Sequence, residues 1–379
     1  MIYLVLSLDY EIFGNGAGDV LRDVIQPTNR LLDICDRHDA KVTIMFEVGE
    51  YWAFERYDRQ LGKDLGYSPC GEIERQAEDA IRRGHDVQLH LHPQWIGAEY
   101  ERSTWRLRHS FWRLADLSGG LGCEEQLTSI IGALYRGKQT LDDMIKRVKA
   151  NYQCICFRAG GFYAQPSQDI IRAMKRVGLR VDSSVVKGYR MTAPFKVDYS
   201  RVGIDKAAWW TTDTELTEEG TPGENVIELS VSAKMQPYWK SLKWTKLRAA
   251  LKRWKVERAS AGDNDANEAI SSVPSGWAVL TNLLKKRAST FDFCKLSCRD
   301  MLDRVREVTE DRQLPVVAIG HSKDFINDRQ FDRFLATLSG SKEVRFVSMS
   351  EYVHEMLSVP RIPGSAEIVD AGSNRLQAR

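Results

Sequence analysis

Gly84-His85-Asp86-Val87-Gln88-Leu89-His90-Leu91-His92-Pro93-Gln94-Trp95 is the stretch around which the chain is organised. Two histidines and an amide follow an apolar alternation. In extended backbone, side chains two apart share a face, so His90 and His92 point one way and Leu89 and Leu91 the other. Pro93 then stops the strand. A strand end that presents imidazoles before a sharp turn is where barrel and open-sheet enzymes keep their reactive groups.

Outward from this stretch the chain has a repeating rhythm. Upstream, residues 2–9 form an apolar run of strand length, followed by a glycine-rich loop (Gly14, Gly16, Gly18) and a helical pattern from Val20 to His38. Lys41 to Phe46 reads as a strand and Gly71 to Arg83 as a helix. Downstream, the aromatic and basic segment 96–125 interrupts the pattern, and a helix is expected from Glu125 to Lys149. Strand Cys154–Arg158, helix Ser167–Val177 and strand Leu179–Ser184 restore it. An excursion at 188–225, strand Val226–Val231 and an insertion at 235–290 follow. Helix 294–309, strand Val316–Ile319, helix 325–338 and strand Val344–Val347 close the series. Alternating β and α units imply parallel strands, so the fold class is α/β. Residues 1–355 are expected to form a single domain with three insertions, and 356–379 a flexible tail.

Composition excludes several classes. Lys plus Arg number 54 against 52 Asp plus Glu, a formal charge of +2 over 379 residues, which gives no general affinity for nucleic acid. The seven cysteines are odd in number and irregularly spaced, as expected of reduced, buried thiols rather than a disulfide framework. The apolar run at Met1–Leu8 is too short for a signal peptide, and nothing approaches the ~20 apolar residues of a membrane span, so a cytoplasmic location is expected.

Chemistry collects at the strand ends. Asp9 and Glu11 lie two apart after the first strand, where one carboxylate can hold a divalent ion while the other handles a proton. Such an ion, with an open position, lowers the pKa of bound water to about 7. Arg158 precedes Ala159-Gly160-Gly161-Phe162, where two glycines permit close approach to the backbone, and it is placed to orient the carboxylate base. Asp182 ends a later strand. His321 in Gly320-His321-Ser322-Lys323-Asp324 would act as the acid that protonates a leaving group. Gln94, Trp95, Gly160, Phe162, Asp182 and Lys323 are expected to meet substrate.

The order of these residues resembles that of polysaccharide deacetylases, the carbohydrate esterase family 4 group with the NodB-homology domain, over roughly residues 1–350 without the insertions. The resemblance implies a distorted (β/α) barrel and metal-dependent removal of an N-acyl group from an amino sugar. It makes Asp9 the base, Glu11 a metal ligand, and Arg158 to Phe162, Val181-Asp182-Ser183-Ser184 and Ile319-Gly320-His321 the third, fourth and fifth motifs. The second motif of the family has two histidines four apart after a Gly-His start. Here Gly84-His85 leads to His90 in register, but Gln94 stands four later and His92 lies between. Three readings follow: His92 supplies the ligand, Gln94 binds through its carbonyl oxygen, or the ion is lost. His92 is favoured, since zinc, the expected ion, prefers nitrogen, sulfur or carboxylate donors.

Tyr238 to Lys255 carries seven basic residues, no acidic one and three tryptophans, a composition suited to a helix on an anionic membrane surface or a solvated helix on the barrel. With a cytoplasmic location, this favours a nucleotide-linked or lipid-linked amino sugar in bacterial surface-polysaccharide assembly. An amidohydrolase acting on a non-sugar amide, and a glycan-binding barrel without catalysis, are the competing readings.

Overall fold

β1 (Ile2–Tyr10) is buried from Tyr3 onward on both faces, as a central parallel strand must be. Its outward residues Leu4, Leu6 and Leu8 lie under the helical layer, each worth about 1.5–3 kcal/mol on burial, while Tyr3 and Val5 face a second, inner core. The computed structural model describes residues 1–193, 195–203, 206–237, 285–307 and 315–356.

The other strands are β2 (Val42–Glu47), β3 (Asp86–Leu91), β4 (Cys156–Ala159), β5 (Val181–Asp182), β6 (Ile227–Leu229) and β7 (Pro315–His321). They belong to a nine-stranded sheet in the order β6-β5-β4-β3-β2-β1-β7, with Ala208–Trp210 beyond β6 and Val344–Phe346 on β1. Every pair is parallel except the one between Ala208–Trp210 and β6. The two ends of this order then meet. Ser232 N–H donates to Val317 O (3.0 Å), Val317 N–H donates to Ser232 Oγ (3.1 Å), and Asp292 bridges Ile319. The sheet is therefore a nearly closed, irregular α/β barrel whose seam is stitched by a few bonds rather than a full ladder.

Helices α1 (Gln26–Arg37), α2 (Val48–Leu65), α3 (Pro69–Arg82), α4 (Ile130–Lys146), α5 (Gln168–Val177), α6 (Cys298–Arg306), α7 (Asp328–Leu338) and α8 (Met349–Met356) accompany it. α2 has no counterpart in the sequence reading. β2 passes into it without a loop, and its N-cap is Glu47, whose carboxylate accepts from Gly49 N–H (2.9 Å) and Glu50 N–H (3.4 Å) in place of the usual Ser, Thr, Asp or Asn. Gly66, at φ 81°, ends it in the left-handed conformation.

Other boundaries move for similar reasons. The segment expected as one helix from Val20 to His38 opens into wider turns at Val20–Ile25, ahead of Pro27, which has no N–H to donate. α4 begins only after Ser129, which caps Gly132 N–H, so 125–129 is not helical. The strand expected at 179–184 is limited to Val181–Asp182. The excursion at 188–225 supplies Ala208–Trp210 to the main sheet. At the base of the long insertion, Ala233–Pro237 pairs antiparallel with Lys286–Thr290. The basic segment 238–255 and the tail 357–379 lie outside the described residues. Among the described residues no helix is long and apolar enough to cross a membrane.

Candidate functional site

Parallel register brings the polar strand ends level. Asp9 of β1 lies opposite His321 of β7, Glu47 of β2 opposite His90 of β3, and His90 opposite Arg158 of β4. All five are at the C-terminal ends of their strands, where an α/β barrel opens to its reactive groups.

Glu11, Glu47, His90 and His92 bring one ligand atom each within 4.8 Å of one another. Glu11 Oε2 is 2.9 Å from His92 Nε2 and 3.5 Å from His90 Nε2, and Glu47 Oε2 is 4.0 Å from His90 Nε2. His90 Nδ1 is 2.9 Å from the Arg158 carbonyl, which can only accept, so Nδ1 carries the hydrogen and Nε2 of the neutral ring is a bare lone pair. That nitrogen is buried without a hydrogen-bond partner and faces two carboxylates. Only a positive charge makes the arrangement favourable. Burial opposes charging His90, yet Asp9 and Glu11 raise its pKa to about 9. A divalent ion held by the same residues would likewise supply positive charge at this point.

The donor set fits such an ion: two carboxylates and two imidazoles, hard oxygen and borderline nitrogen, without a thiolate. The surrounding charge points the same way. Asp9, Glu11, Glu47 and Glu50 are all buried, and the cations tied directly to them are Arg158 and Lys323. Burial, then the charges of Glu47 and Glu11, push Glu50 well above the usual carboxylate range, and burial also raises Glu47. Against burial, His92 and Lys323 hold Glu11 well below that range.

A second group adjoins the first. Arg158, fully buried, donates from Nη1 to Asp9 Oδ1 (2.5 Å), from Nη2 to Ser7 Oγ (2.9 Å) and Ser183 Oγ (3.2 Å), and from Nε to Ser183 O (3.0 Å). Burial would raise the pKa of Asp9, but the Arg158 guanidinium, with His90 and His321, holds it below the ordinary value. Asp9 is therefore a carboxylate at neutral pH. Its Oδ2 lies 3.7 Å from His321 Nε2, so base and acid candidates are neighbours.

The expected substrate residues are placed as follows. Lys323 lies at the site, with Nζ on Glu11 Oε1 (2.7 Å) and Ile12 O (2.8 Å). Gln94 is buried and its amide meets His92 Nδ1 (3.1 Å), behind the imidazole rather than among the carboxylates. Trp95 is buried in an aromatic group with Phe54 and Trp105. Gly160 gives His92 its room, since a Cβ there would lie 2.5 Å from His92 Cγ. Phe162 is at φ 64°, a left-handed value rare for an aromatic residue, and its carbonyl is held by Tyr199 Oη (2.7 Å). Asp182 is buried, accepting from Ser184 N–H and Oγ (both 2.9 Å), and Arg158 is one of the charges acting on it. Glu47 and Glu50 are the residues that sequence reasoning missed. The signal for Glu47 was present, since it ends the apolar run Val42-Thr43-Ile44-Met45-Phe46 just as Asp9 ends its own.

No family profile and no curated sequence matches the chain. Structural comparison finds a polysaccharide deacetylase structure from Mycobacterium smegmatis (TM-score 0.39, 12% identity, covering 90% of this chain and 82% of that one). It also finds a polysaccharide deacetylase structure from Pseudomonas aeruginosa PAO1 (0.42, 10%, 94% and 92%) and a 4-alpha-glucanotransferase from Thermococcus litoralis (0.42, 10%, 94% and 40%). At such scores, the functional reading rests on the side chains of this chain.

Proposed function

We propose that this protein is a metal-dependent hydrolase that removes an N-acyl group, acetyl or formyl, from an amino sugar in bacterial surface-polysaccharide biosynthesis. The observation that carries the reading is the juxtaposition of a ligand cluster (Glu11, Glu47, His90, His92) with a buried Asp9–Arg158 pair and His321 at one end of the sheet. Bound there, a divalent ion such as zinc would polarise the amide carbonyl and acidify water. The remaining work belongs to the chain. Arg158 immobilises one oxygen of Asp9 and keeps it ionised, so Asp9 can take a proton from the attacking water. His321, 3.7 Å from the other oxygen, can hand a proton to the departing nitrogen. The Arg158 carbonyl orients His90 by accepting from its Nδ1–H, as outer partners of ligating histidines do, and the Gln94 amide N–H donates to His92 Nδ1 and positions that ring. A cytoplasmic enzyme of this kind would act on a nucleotide-linked or lipid-linked sugar, with 238–255 as its contact to an anionic membrane face.

Elemental analysis of the purified protein, joined to an assay of acetate and formate release from N-acylated amino sugars, tests this reading. A stoichiometric divalent ion and release abolished by Asp9→Asn are the expected results. A protein that holds no ion even after incubation with zinc, and releases no acyl group, refutes it. That outcome favours a glycan-binding barrel, the reading to which Gln94 in place of a histidine lends support.

A further inference from the structure

Glu11 stands just past the end of β1, and the turn after β7 holds it. Ser322 Oγ accepts from Glu11 N–H (3.4 Å) and donates to Glu11 O (3.2 Å), which fixes the backbone. Lys323 fixes the side chain, since its Nζ donates to Glu11 Oε1 (2.7 Å) and to Ile12 O (2.8 Å). The ammonium also lies over the Phe13 ring, 5.7 Å from its centroid. Ser322 is fully buried and Lys323 keeps only 12% of its side-chain surface exposed, so water competes little for these bonds. A charge-assisted bond from an ammonium with two fixed acceptors is among the stronger restraints a carboxylate oxygen can have.

The two oxygens of Glu11 are thereby given different work. Oε1 is engaged by Lys323, while Oε2 faces the imidazoles, 2.9 Å from His92 Nε2 and 3.5 Å from His90 Nε2. Glu47 is divided in the same way. Its Oε1 accepts from Gly49 and Glu50 N–H at the start of α2, and its Oε2 accepts from His92 N–H and lies 4.0 Å from His90 Nε2. Each carboxylate can give an ion one oxygen with these bonds intact. A second oxygen would cost the Lys323 bond on one side and the helix cap on the other. Coordination number is what separates divalent ions of equal charge: zinc is satisfied by about four nitrogen and oxygen donors, whereas manganese takes about six, oxygens by preference. Withholding a carboxylate oxygen therefore costs manganese more than zinc.

We propose that Lys323 is a metal-selectivity residue: by holding Glu11 Oε1 it limits this carboxylate to single-oxygen coordination, and so favours zinc over larger divalent ions that take more oxygens. This rests on the metal-dependent reading above and deepens it. The turn after β7 then carries two tasks within three residues, with His321 beside Asp9 and Lys323 on the outer oxygen of a ligand. The charge of Lys323 and its hydrogen bond have separable effects. The charge opposes every divalent ion alike, whereas the bond discriminates between ions by the number of oxygens they seek.

Calorimetric titration of metal-free wild type, Lys323→Met and Lys323→Arg with Zn²⁺ and with Mn²⁺ tests the proposal, and the ratio of the two affinities is the readout. Lys323→Met is expected to raise Mn²⁺ affinity about ten-fold or more beyond any gain for Zn²⁺. Lys323→Arg, which keeps the charge and still donates, is expected to hold the ratio within about three-fold of wild type. Equal gains for both ions in Lys323→Met, or a ratio lost as completely in Lys323→Arg, overturn the proposal while leaving the metal site standing. The infrared difference spectrum of the wild type on adding zinc needs no variant to fold. Its antisymmetric and symmetric carboxylate stretches are expected to spread apart, as single-oxygen coordination requires, and a narrowed spread, the sign of two-oxygen coordination, overturns the proposal. A wild type that binds neither ion removes the metal-dependent reading itself, and the proposal with it.

Discussion

Arg158→Met gives the sharpest test of how the centre of this site is held. The guanidinium donates four hydrogen bonds inside the protein, to Asp9 Oδ1, Ser7 Oγ, Ser183 Oγ and Ser183 O. Two of the acceptors have other partners, because Ser7 Oγ donates to Ala318 O and Ser183 Oγ donates to Leu229 O. The loss therefore falls on the Asp9 carboxylate and the Ser183 carbonyl. Breaking a buried ion pair by removing one partner costs about 3–5 kcal/mol, and an unsatisfied buried carbonyl about 1–3 kcal/mol.

Asp9 has one escape, which is to take up a proton. In the wild type its pKa is depressed, so it stays ionised from pH 5 to 7 and contributes no slope to stability there. In the variant burial and Glu11 raise it against the weaker lowering by His90 and His321, and its folded pKa is expected to move above the unfolded value of about 3.9. The folded variant then binds more protons than the unfolded chain, and its stability falls as pH rises. If the carboxyl stays protonated to pH 7, the penalty grows by about 2.7 kcal/mol between pH 5 and pH 7, two units at about 1.36 kcal/mol each. Urea unfolding of metal-free wild type and variant at both pH values measures this. Adding Asp9→Asn should recover at least about 2 kcal/mol of the loss at pH 7, the coupling expected of a buried pair. A variant within about 1 kcal/mol of wild type at pH 7, or a penalty the same at both pH values, would refute the buried-pair account.

Three further outcomes follow from the same geometry. Gly160→Ala should cost about 1–3 kcal/mol and weaken ion binding, because the new methyl meets the His92 ring at 2.5 Å from Cγ; thermal melts with and without zinc would read both effects. Glu47→Gln should keep α2 capped through its remaining amide oxygen but weaken zinc about ten-fold or more in a chelator competition, and an unchanged affinity would exclude Glu47 as a ligand. His85, which accepts from Val42 N–H at Nδ1 and contacts Asp36 at Nε2, is lowered to about 4 by burial. Its folded pKa lies below the unfolded 6.5, so its contribution, at most about 3 kcal/mol, is present above pH 6.5 and lost as pH falls toward 4; His85→Gln should flatten that part of the unfolding profile relative to wild type.

Much of the barrel and part of the site could be read from period-two alternation, and the reason lies in which face of each strand is polar. On β1 the inward residues Tyr3 and Val5 are apolar and Ser7 and Asp9 are not, while outward Leu4, Leu6 and Leu8 stay apolar throughout. On β3, Val87, Leu89 and Leu91 pack outward and Asp86, Gln88 and His90 are buried polar groups. A strand cannot bury such side chains singly, so the change from apolar to polar along one face marks the end at which the strands share partners. The identity of the partners is set elsewhere. Asp9 meets Arg158 and His321, 149 and 312 residues away, only because parallel register levels β1, β4 and β7, and a slip of one residue in any of them would turn its group outward.

Glu47 has two roles, of which its local sequence shows only one. It ends a strand whose inward neighbour Met45 is apolar, and its carboxylate is engaged three ways, by Gly49 and Glu50 N–H at the start of α2 and by His92 N–H at 2.8 Å. Read locally, it is a helix cap. Read in register it lies opposite His90, with its Oε2 4.0 Å from His90 Nε2. The two roles are compatible, because capping fixes the carboxylate without consuming the lone pairs that face His90, and a carboxylate already held rigid loses little further freedom on meeting an ion. A site in which one ligand is also the first peptide cap of a long helix ties ion binding to the placement of α2. Zinc affinity should therefore depend on α2 as well as on the imidazoles of His90 and His92.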